Sequence, residues 1–509
     1  MRRLLEVGLF VAFVSCEPLA LAPEALPRPG STRGDALRPD SPNTTELPPN
    51  FAPGDVVEEF GLPDAGVLVH FTRAGVNAVP LADSNGNGTP DFVEQVAQTY
   101  RDVRLAYHGV WGFSEAPDDA LVPQDNGGDD RFDVYLVDFA GRADGAFRRE
   151  CFVSDPVHCT GYMVQENDFV GYAYPTTQAA IVTVSSHEYF HGVQAGYSAL
   201  QGANVTEATA VWATERFDPT LNDLEGFSRG YQLLPERSID QEPSTPVDGY
   251  TYGLALLFEC LSAQHGPDTV LGLWSRIDGG AGWVQTLERQ LAEDGGSFAE
   301  SFERCTDYNV FTGTRARPGY GHARAAQLAL ATVTESTGNI GVNRARMFRS
   351  SSRYYHATGL PAGAVAFWRM HDDGPDGGAL GMRVRLAADG AGAPVMVAVP
   401  PNTVTAAGAT ALHLLVTNTA TGGPSVPVQL CVGSPAFVDG CRMATVDAGT
   451  DAGVDAGMPP PDAGVDAGTP VVDAGIGPAD PPPGCGCNAG AGPMSLLLAL
   501  ALLRRSRRP

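Results

Sequence analysis

Two histidines and a glutamate in the stretch SSHEYFHGVQAGYSAL, residues 185–200, have the types and the spacing needed to bind a metal ion. His187 and His191 are four positions apart, which places both imidazoles on one face of an α-helix. Neutral imidazoles suit zinc, and a catalytic zinc has three protein ligands and one open position. Glu188 lies beside them, where a carboxylate can act as a base toward water. The pattern predicts a hydrolytic zinc centre, and two core histidines on one helical turn are the competing interpretation.

The third zinc ligand has to come from another element, and the next segment offers two glutamates. The stretch NVTEATAVWATERF, residues 204–217, is apolar on one side and is predicted to be helical. Glu207 and Glu215 are eight residues apart, which is about two helical turns, so one ion could hardly bind both.

The stretch DSNGNGTPDFVE, residues 83–94, fits a twelve-residue calcium-binding loop. Alternate side-chain oxygens can surround one hard cation, Gly88 permits the sharp turn, and a final glutamate can offer two oxygens. A helix is expected to follow, through FVEQVAQTYRDVRLAYHGVWG, but none is apparent before the loop. An Asn/Gly turn without metal is therefore the alternative. The predicted calcium ligands are Asp83, Asn85, Asn87, the carbonyl of Thr89, Asp91 and Glu94.

These motifs resemble those of the HExxH zinc metallopeptidases of gluzincin type. The closest resemblance is to a group of secreted bacterial proteins that join a DxNGNGxPD loop to HEYFHxxQ, and it covers roughly residues 65–275. Gluzincins carry their third ligand in a motif of the form E-G-x-A followed by an aromatic residue. Glu207, Ala208, Thr209, Ala210 and Trp212 match this motif except that alanine replaces glycine, so the resemblance implies Glu207 as the ligand.

The resemblance also implies a fold and an activity. It implies a zincin-like domain that hydrolyses a protein or peptide substrate, with zinc as cofactor and Glu188 as the base. Relatives often add a tyrosine or histidine that donates a hydrogen bond to the oxyanion. Tyr250 and Tyr252 follow Glu207 at a suitable distance, and Tyr252 is the predicted catalytic residue, although each could equally be a core aromatic residue.

Composition divides the chain into segments, and the predicted fold class is α+β. Runs such as VLVHFT and FDVYLVDF predict strands among helices, whereas later runs such as AVAFWRM, MRVRLAA, PVMVAVP and LHLLVTN are typical of a β-sandwich. The segments are a signal peptide (1–22), a Pro-rich linker (23–52), the zincin-like domain (53–318), the β-sandwich (319–445), a disordered Asp-Ala-Gly-rich linker (446–483) and a C-terminal sorting signal (484–509).

The two ends of the chain predict export and a tether to the membrane. MRRLLEVGLFVAFVSC has the form of a secretory signal, with Cys16 either lipidated or removed by ordinary signal cleavage. GCGCNAGAGPMSLLLALALLRRSRRP resembles the myxobacterial C-terminal sorting signal, which implies processing by a sorting protease near Cys485 or Cys487. Its apolar run is short for a mature transmembrane helix. The predicted location is the cell surface, at the outer membrane, or the extracellular space.

Cysteine spacing and net charge agree with an exported protein. Six cysteines fall into neighbouring pairs, and an even count outside the cytosol favours disulfides, although spacing does not choose among the fifteen pairings. The net charge is −26 and all 33 basic residues are arginine, which argues against a nucleic-acid partner. The predicted disulfides are Cys151–Cys159, Cys260–Cys305 and Cys431–Cys441.

Three functions are compatible with these motifs. A zinc endopeptidase is favoured. An aminopeptidase on the same fold ranks lower, because the sequence shows no acidic motif that would capture a free amine. A non-enzymatic surface protein stiffened by calcium is the third, and Glu188 argues against it because a purely structural zinc site needs no base.

Overall fold

The first folded unit is organised around a five-stranded mixed sheet. A computed structural model describes residues 38–39, 50–62, 66–117, 119, 127–152, 154–243, 248–277, 279, 281–371 and 381–443, and its fold is mixed α+β, as predicted. The strands are β1 (Val57–Phe60), β2 (Val67–Thr72), β3 (Phe132–Val137), β4 (Gly145–Phe152) and β5 (Asp155–Glu166). Their order is β1-β2-β3-β5-β4. The inner strands β2, β3 and β5 are parallel, and the edge strands β1 and β4 are antiparallel to their neighbours.

Helices cover one face of this sheet and continue beyond it. Alternation along β3 directs Val134 and Leu136 toward the helices, and Tyr135 and Val137 toward a smaller cluster on the other face. The helices are α1 (Asp91–Arg104), α2 (Thr177–Ser198), α3 (Ala203–Phe217), α4 (Asp223–Leu233), α5 (Gly249–Gly253), α6 (Ala255–His265), α7 (Thr269–Trp274), α8 (Trp283–Glu293) and α9 (Phe298–Val310).

The helix after the predicted calcium loop differs from the expected one. It was expected to continue through Gly112, but α1 ends at Arg104 and a π-helical turn follows over Leu105–Val110. The wider turn is closed by the Trp111 N–H, which donates to the carbonyl of Ala106 at 2.8 Å. Within it, Tyr107 is fully buried and its hydroxyl donates to the Ser186 carbonyl on α2 at 2.8 Å. The packing of Tyr107 against α2 accompanies this departure from a regular helix.

One side chain from the region predicted as a linker belongs to this unit. Arg38 is fully buried. Its guanidinium donates to Asp119 at 3.0 Å and to Glu150 at 2.8 Å, and also to Asp133. A buried charge needs such partners, because isolated burial would cost several kcal/mol. The segment before residue 53 is therefore fastened to the unit at this position.

The second folded unit is formed by two sheets. The strands are β6 (Thr334–Thr337), β7 (Ile340–Met347), β8 (Ser351–Thr358), β9 (Val365–Met370), β10 (Met382–Ala388), β11 (Met396–Ala398), β12 (Thr405–Ala406), β13 (Leu412–Asn418) and β14 (Val426–Gly433), followed by α10 (Pro435–Met443). One sheet has the order β11-β10-β13-β8-β6 and the other the order β12-β9-β14-β7. Side chains from both sheets share one core, which includes Leu386, Leu414, Trp368 and Val428.

The two units meet along the outer face of the five-stranded sheet of the second unit. Phe311 and Val310 from the end of α9 pack with Tyr354 and Leu415. The Tyr354 hydroxyl donates to the Thr306 carbonyl at 2.8 Å. Residues 319–332, which were assigned to the second domain, pack on the first: the Thr332 N–H donates to the Gln232 carbonyl at 2.8 Å.

Three disulfides join the cysteines that the sequence paired. They link β4 to β5, α6 to α9, and β14 to α10. Across the described residues, every helix is too short or too polar to cross a bilayer. The signal peptide, Cys16, the Asp-Ala-Gly-rich linker and the sorting signal with Cys485 and Cys487 lie outside the described residues.

Candidate metal centre

The two histidines of the HEYFH motif lie in the middle of the long helix α2. Thr176 caps its N-terminus, where the threonine hydroxyl accepts a hydrogen bond from the Ala179 N–H at 3.0 Å. The helix buries Ile181, Val184 and Phe190 in the main core. These apolar contacts fix the position of the helix, and its residues His187 and His191 lie against Glu207 of α3.

His187, His191 and Glu207 converge between α2 and α3. The Oε2 atom of Glu207 is 3.2 Å from His187 Nε2 and 3.5 Å from His191 Nε2. One potential ligand atom from each residue lies within 4.8 Å of the others. The three side chains are only 12–14 % exposed. Two imidazole nitrogens and one carboxylate oxygen at this spacing fit the protein ligands of a zinc ion with an open fourth position.

The electrostatics of this cluster show strong mutual attraction between its members. Burial alone would raise the pKa of Glu207, but the two histidines hold it well below its ordinary value. Burial alone would lower the pKa of His191, but the charges of Glu207 and Glu188 raise it to about 9. Without metal the cluster therefore holds a proton at neutral pH, in the position where a cation would be stabilised.

Gln194 orients one of the two histidines. Its side-chain carbonyl accepts a hydrogen bond from His191 Nδ1 at 2.8 Å, which leaves Nε2 directed at Glu207. The Gln194 amide in turn donates to the Thr206 carbonyl at 2.8 Å and to the Thr209 hydroxyl at 2.9 Å, both on α3. Gln194 is the last residue of HEYFHxxQ, and its spacing of three from His191 was the available signal. Sequence reasoning gave it no role.

Glu188 faces the edge strand of the sheet. The N–H of Phe147 on β4 donates to Glu188 Oε2 at 3.0 Å. Gly145 allows this close approach, because a Cβ there would lie 2.5 Å from Val184 and 3.3 Å from the Glu188 side chain. The predicted base is thereby held beside the outer edge of β4 as well as beside the histidines.

Asp144 is a further carboxyl group near Glu188 that sequence reasoning missed. It accepts a hydrogen bond from the Tyr174 hydroxyl at 2.5 Å. Burial, reinforced by the negative charge of Glu188, raises the pKa of Asp144 to about 7. No sequence motif marks it, because it reaches the site only through the packing of β4 on α2.

The two candidate tyrosines have different environments. The Tyr250 hydroxyl donates to the Arg237 carbonyl at 3.0 Å, and the ring packs under the Arg237 guanidinium, so Tyr250 is a core residue. Tyr252 is stacked on the His187 ring with 5.9 Å between centroids, and on Phe227 at 4.9 Å. Tyr252 is therefore the tyrosine that contacts the cluster.

Glu215, the alternative zinc ligand, is not part of the cluster. It is buried, and its carboxylate pairs with Arg324 and accepts from the Leu224 N–H at 3.3 Å. These contacts fasten α3 to α4 and to the segment after α9. Only one of the two glutamates, Glu207, lies against the histidines.

The predicted calcium loop curls around its own carboxylates. Asp83 accepts from the N–H groups of Gly86 and Gly88 at 2.8 and 2.9 Å, and both glycines have positive φ. Glu94 accepts from the side-chain amides of Asn85 and Asn87 at 2.9 and 2.6 Å. Asp91 lies outside this set, since its carboxylate accepts from Ser84. The remaining predicted ligand, Thr89, donates its N–H to Asn87 at 2.8 Å.

Comparison with known proteins adds no relative to this picture. No protein-family model matches the sequence, and no curated protein matches it. The geometry of the site and the sequence motifs are therefore the basis for assigning a function to this chain.

Proposed function

We propose that this chain is a zinc-dependent metallopeptidase of the zincin type. The observation that carries the proposal is the convergence of two imidazole nitrogens and one carboxylate oxygen. Glu188 lies beside them on α2 and is not one of the three converging residues. A structural zinc site usually closes with four protein ligands, whereas the described residues bring three together here. His187, His191 and Glu207 would hold the ion.

The chemistry follows from the roles of the surrounding side chains. Bound zinc would supply Lewis acidity, polarising a carbonyl and lowering the pKa of water. Glu188 takes the proton from the attacking water and passes it to the leaving amine as the peptide C–N bond breaks. Tyr252, whose ring lies against His187, is the residue to which we assign stabilisation of the oxyanion. Removing one such donor from an enzyme typically costs about 3 kcal/mol of transition-state stabilisation.

The substrate class proposed is an extended polypeptide. β4 is an edge strand, and its Phe147 N–H points toward Glu188 rather than into the sheet. An extended peptide that paired with this edge would carry its backbone past the base. Pairing of this kind suits a stretch of chain away from its ends, which favours an endopeptidase over an aminopeptidase, because the latter needs a pocket for the free amine.

We further propose that the second unit is a β-sandwich and that the protein acts outside the cell. The shared core of the two sheets supports the first point. Three disulfides support the second, because they persist in oxidising compartments. Calcium bound by the loop at 83–94 would stabilise the start of α1, and Tyr107 in the π-helical turn after α1 donates to the Ser186 carbonyl on α2. Tethering and sorting through the termini remain predictions from the sequence.

The test is cleavage of labelled casein by the full-length chain and its Glu188→Gln variant, with zinc measured by mass spectrometry. Cleavage should fall roughly 10²–10⁴-fold while zinc content stays at that of the wild type, because the variant keeps all three ligands. Glu300→Gln is the matched control, an exposed glutamate on α9, and should change neither quantity. Equal cleavage by the Glu188→Gln variant would contradict the mechanism.

A further inference from the structure

Four ionisable side chains form a row across neighbouring strands of the second unit. His413 on β13 is directly opposite His356 on β8, and Glu335 on β6 is opposite His356 on its other side. Asp389 follows the end of β10, two residues after Ala387, which is opposite His413. Residues directly opposite one another, and residues two apart on a strand, lie on the same face of a sheet. The row is therefore a product of sheet register.

The side chains in this row converge on Asp389. Its Oδ2 atom is 2.8 Å from His356 Nε2, and its Oδ1 atom is 3.1 Å from His413 Nε2. The two imidazoles are stacked, with 4.5 Å between ring centroids. One ligand atom from each of the three residues lies within 4.8 Å of the others. This is the same set of donors, two imidazoles and one carboxylate, that converges in the first unit.

Glu335 orients His356 for binding a cation. Its Oε2 atom accepts a hydrogen bond from His356 Nδ1 at 2.6 Å. With the proton on Nδ1, the Nε2 lone pair is directed at the Asp389 carboxylate, so two acceptors face each other. A proton or a metal ion between them removes this repulsion. Carboxylates that hold the distal nitrogen of a ligand histidine are a regular feature of zinc sites.

The local electrostatics agree with this arrangement. Burial alone would lower the pKa of His356, but Asp389 and Glu335 raise it, so positive charge is stabilised between His356 and Asp389. Burial and the neighbouring His356 lower the pKa of His413 to about 4.

We propose that His356, His413 and Asp389 form a second zinc site, separate from the centre between α2 and α3. The donor set selects a borderline divalent ion such as Zn²⁺, because Ca²⁺ and Mg²⁺ take oxygen ligands. The site ties β8, β13 and the end of β10 together. Phe311 from the first unit packs edge-on against His413 at 5.5 Å, so the ion would stiffen the sheet where the two units meet.

The test counts zinc in the full-length chain after loading with zinc chloride and dialysis against metal-free buffer. The His187→Ala/His191→Ala variant should retain about one zinc per chain. Adding His356→Ala and His413→Ala to that variant should remove it. His158→Ala is the matched control: His158 also pairs with an aspartate, Asp155, at 2.8 Å, but among the described residues it joins no group that could hold a metal ion. The His158→Ala variant should bind as many zinc ions per chain as the protein into which it is introduced.

A second set of variants is needed in case the His187→Ala/His191→Ala protein misfolds. In the otherwise wild-type chain, His356→Ala/His413→Ala should lower the count from about two zinc ions to one and leave casein cleavage unchanged. Retention of two zinc ions by this variant would overturn the proposal. So would the absence of zinc from His187→Ala/His191→Ala protein whose circular dichroism matches the wild type. If the peptidase proposal alone were wrong, the wild-type chain would not cleave casein but would still bind the zinc ion at His356, His413 and Asp389.

Discussion

The helix cluster (His187, His191, Glu207) and the strand cluster (His356, His413, Asp389) present the same donor atoms from different secondary structures. In the helix cluster, two ligands come from one turn of α2, so they are four residues apart in the sequence. In the strand cluster, the three ligands are separated by 33 and 24 residues along the chain and meet through strand pairing. The first has a recognisable sequence motif, and the second has none.

The two clusters also differ in what surrounds the ligands. Glu188 and Tyr252 lie against the helix cluster, and Glu188 accepts from the Phe147 N–H at the outer edge of β4. Beside the strand cluster lie Glu335, which is engaged with His356, and the ring of Phe311. A metal site becomes hydrolytic when a free base and a place for substrate adjoin it. We therefore propose catalysis at the helix cluster and a structural role at the strand cluster.

The largest effect that would break this assignment concerns the third ligand of the helix cluster. Glu207→Ala should weaken zinc binding there by more than about 100-fold and abolish casein cleavage, because the anionic ligand is lost. Glu215→Gln is the matched control: it should keep zinc and cost about 2 kcal/mol in the free energy of unfolding, because Arg324 loses one of its two carboxylate partners and keeps only Glu225. Zinc loss in Glu215→Gln rather than Glu207→Ala would exchange the two roles.

The pH dependence of stability should distinguish the helix cluster in the metal-free protein. The pKa of His191 is raised to about 9, against about 6.5 when unfolded. Its stabilising contribution is complete below pH 6.5 and is lost as the pH rises through 9, a change of about 3 kcal/mol. Urea unfolding of EDTA-treated protein at several pH values measures it. His191→Gln should flatten this slope, and an unchanged slope would contradict the proton-sharing arrangement; His158→Gln, at an exposed site, should not change it.

The residues that orient the ligand histidines offer a closer comparison of the two clusters. Gln194 accepts from His191 and Glu335 accepts from His356, and both variants leave every ligand in place. Gln194→Ala and Glu335→Gln should each weaken zinc binding by roughly 10–100-fold, at the helix and strand clusters respectively. Zinc titration in the presence of a competing chelator measures both. Only Gln194→Ala should lower cleavage; a loss of cleavage in Glu335→Gln would break the assignment of roles.

The smallest predicted effect is the stabilisation of the protein by calcium bound at the loop 83–94. This loop offers oxygen ligands, whereas both histidine clusters offer imidazole nitrogens. Extracellular calcium sites bind with dissociation constants of about 10⁻⁴–10⁻³ M. Calcium at ten times that value should stabilise the protein by about 1.4 kcal/mol, raising Tm by a few degrees. Glu94→Gln should remove the shift. Asp129→Asn, whose carboxylate is already held by Arg131, should retain it. An equal shift in Glu94→Gln would place calcium elsewhere.

Much of the helix cluster could be predicted because helical periodicity is local. The spacing of His187 and His191, a threonine cap before α2 and an apolar helix containing Glu207 were all readable in sequence. Strands β2 and β3 also begin where alternating apolar runs begin. In each case the signal lies within about twenty residues.

What could not be predicted depends on packing between distant segments. The contact of Glu188 with the Phe147 N–H requires that β4 be the edge strand and that Gly145 lie under α2. The choice of Glu207 over Glu215 depends on where Arg324 lies in the fold. The strand cluster requires the register of three strands, β8, β13 and β10. None of these is a property of a short stretch of sequence.

The measurement that tests the central claim most directly is recovery of cleavage as zinc is returned to EDTA-treated protein. Casein cleavage and bound zinc are followed together in the wild type and in the two double variants, His187→Ala/His191→Ala and His356→Ala/His413→Ala. We predict that the wild type and the strand-cluster variant recover cleavage to the same extent and that the helix-cluster variant recovers none. Full cleavage by the helix-cluster variant, or none by zinc-loaded wild type, would contradict the assignment of the helix cluster as a hydrolytic centre.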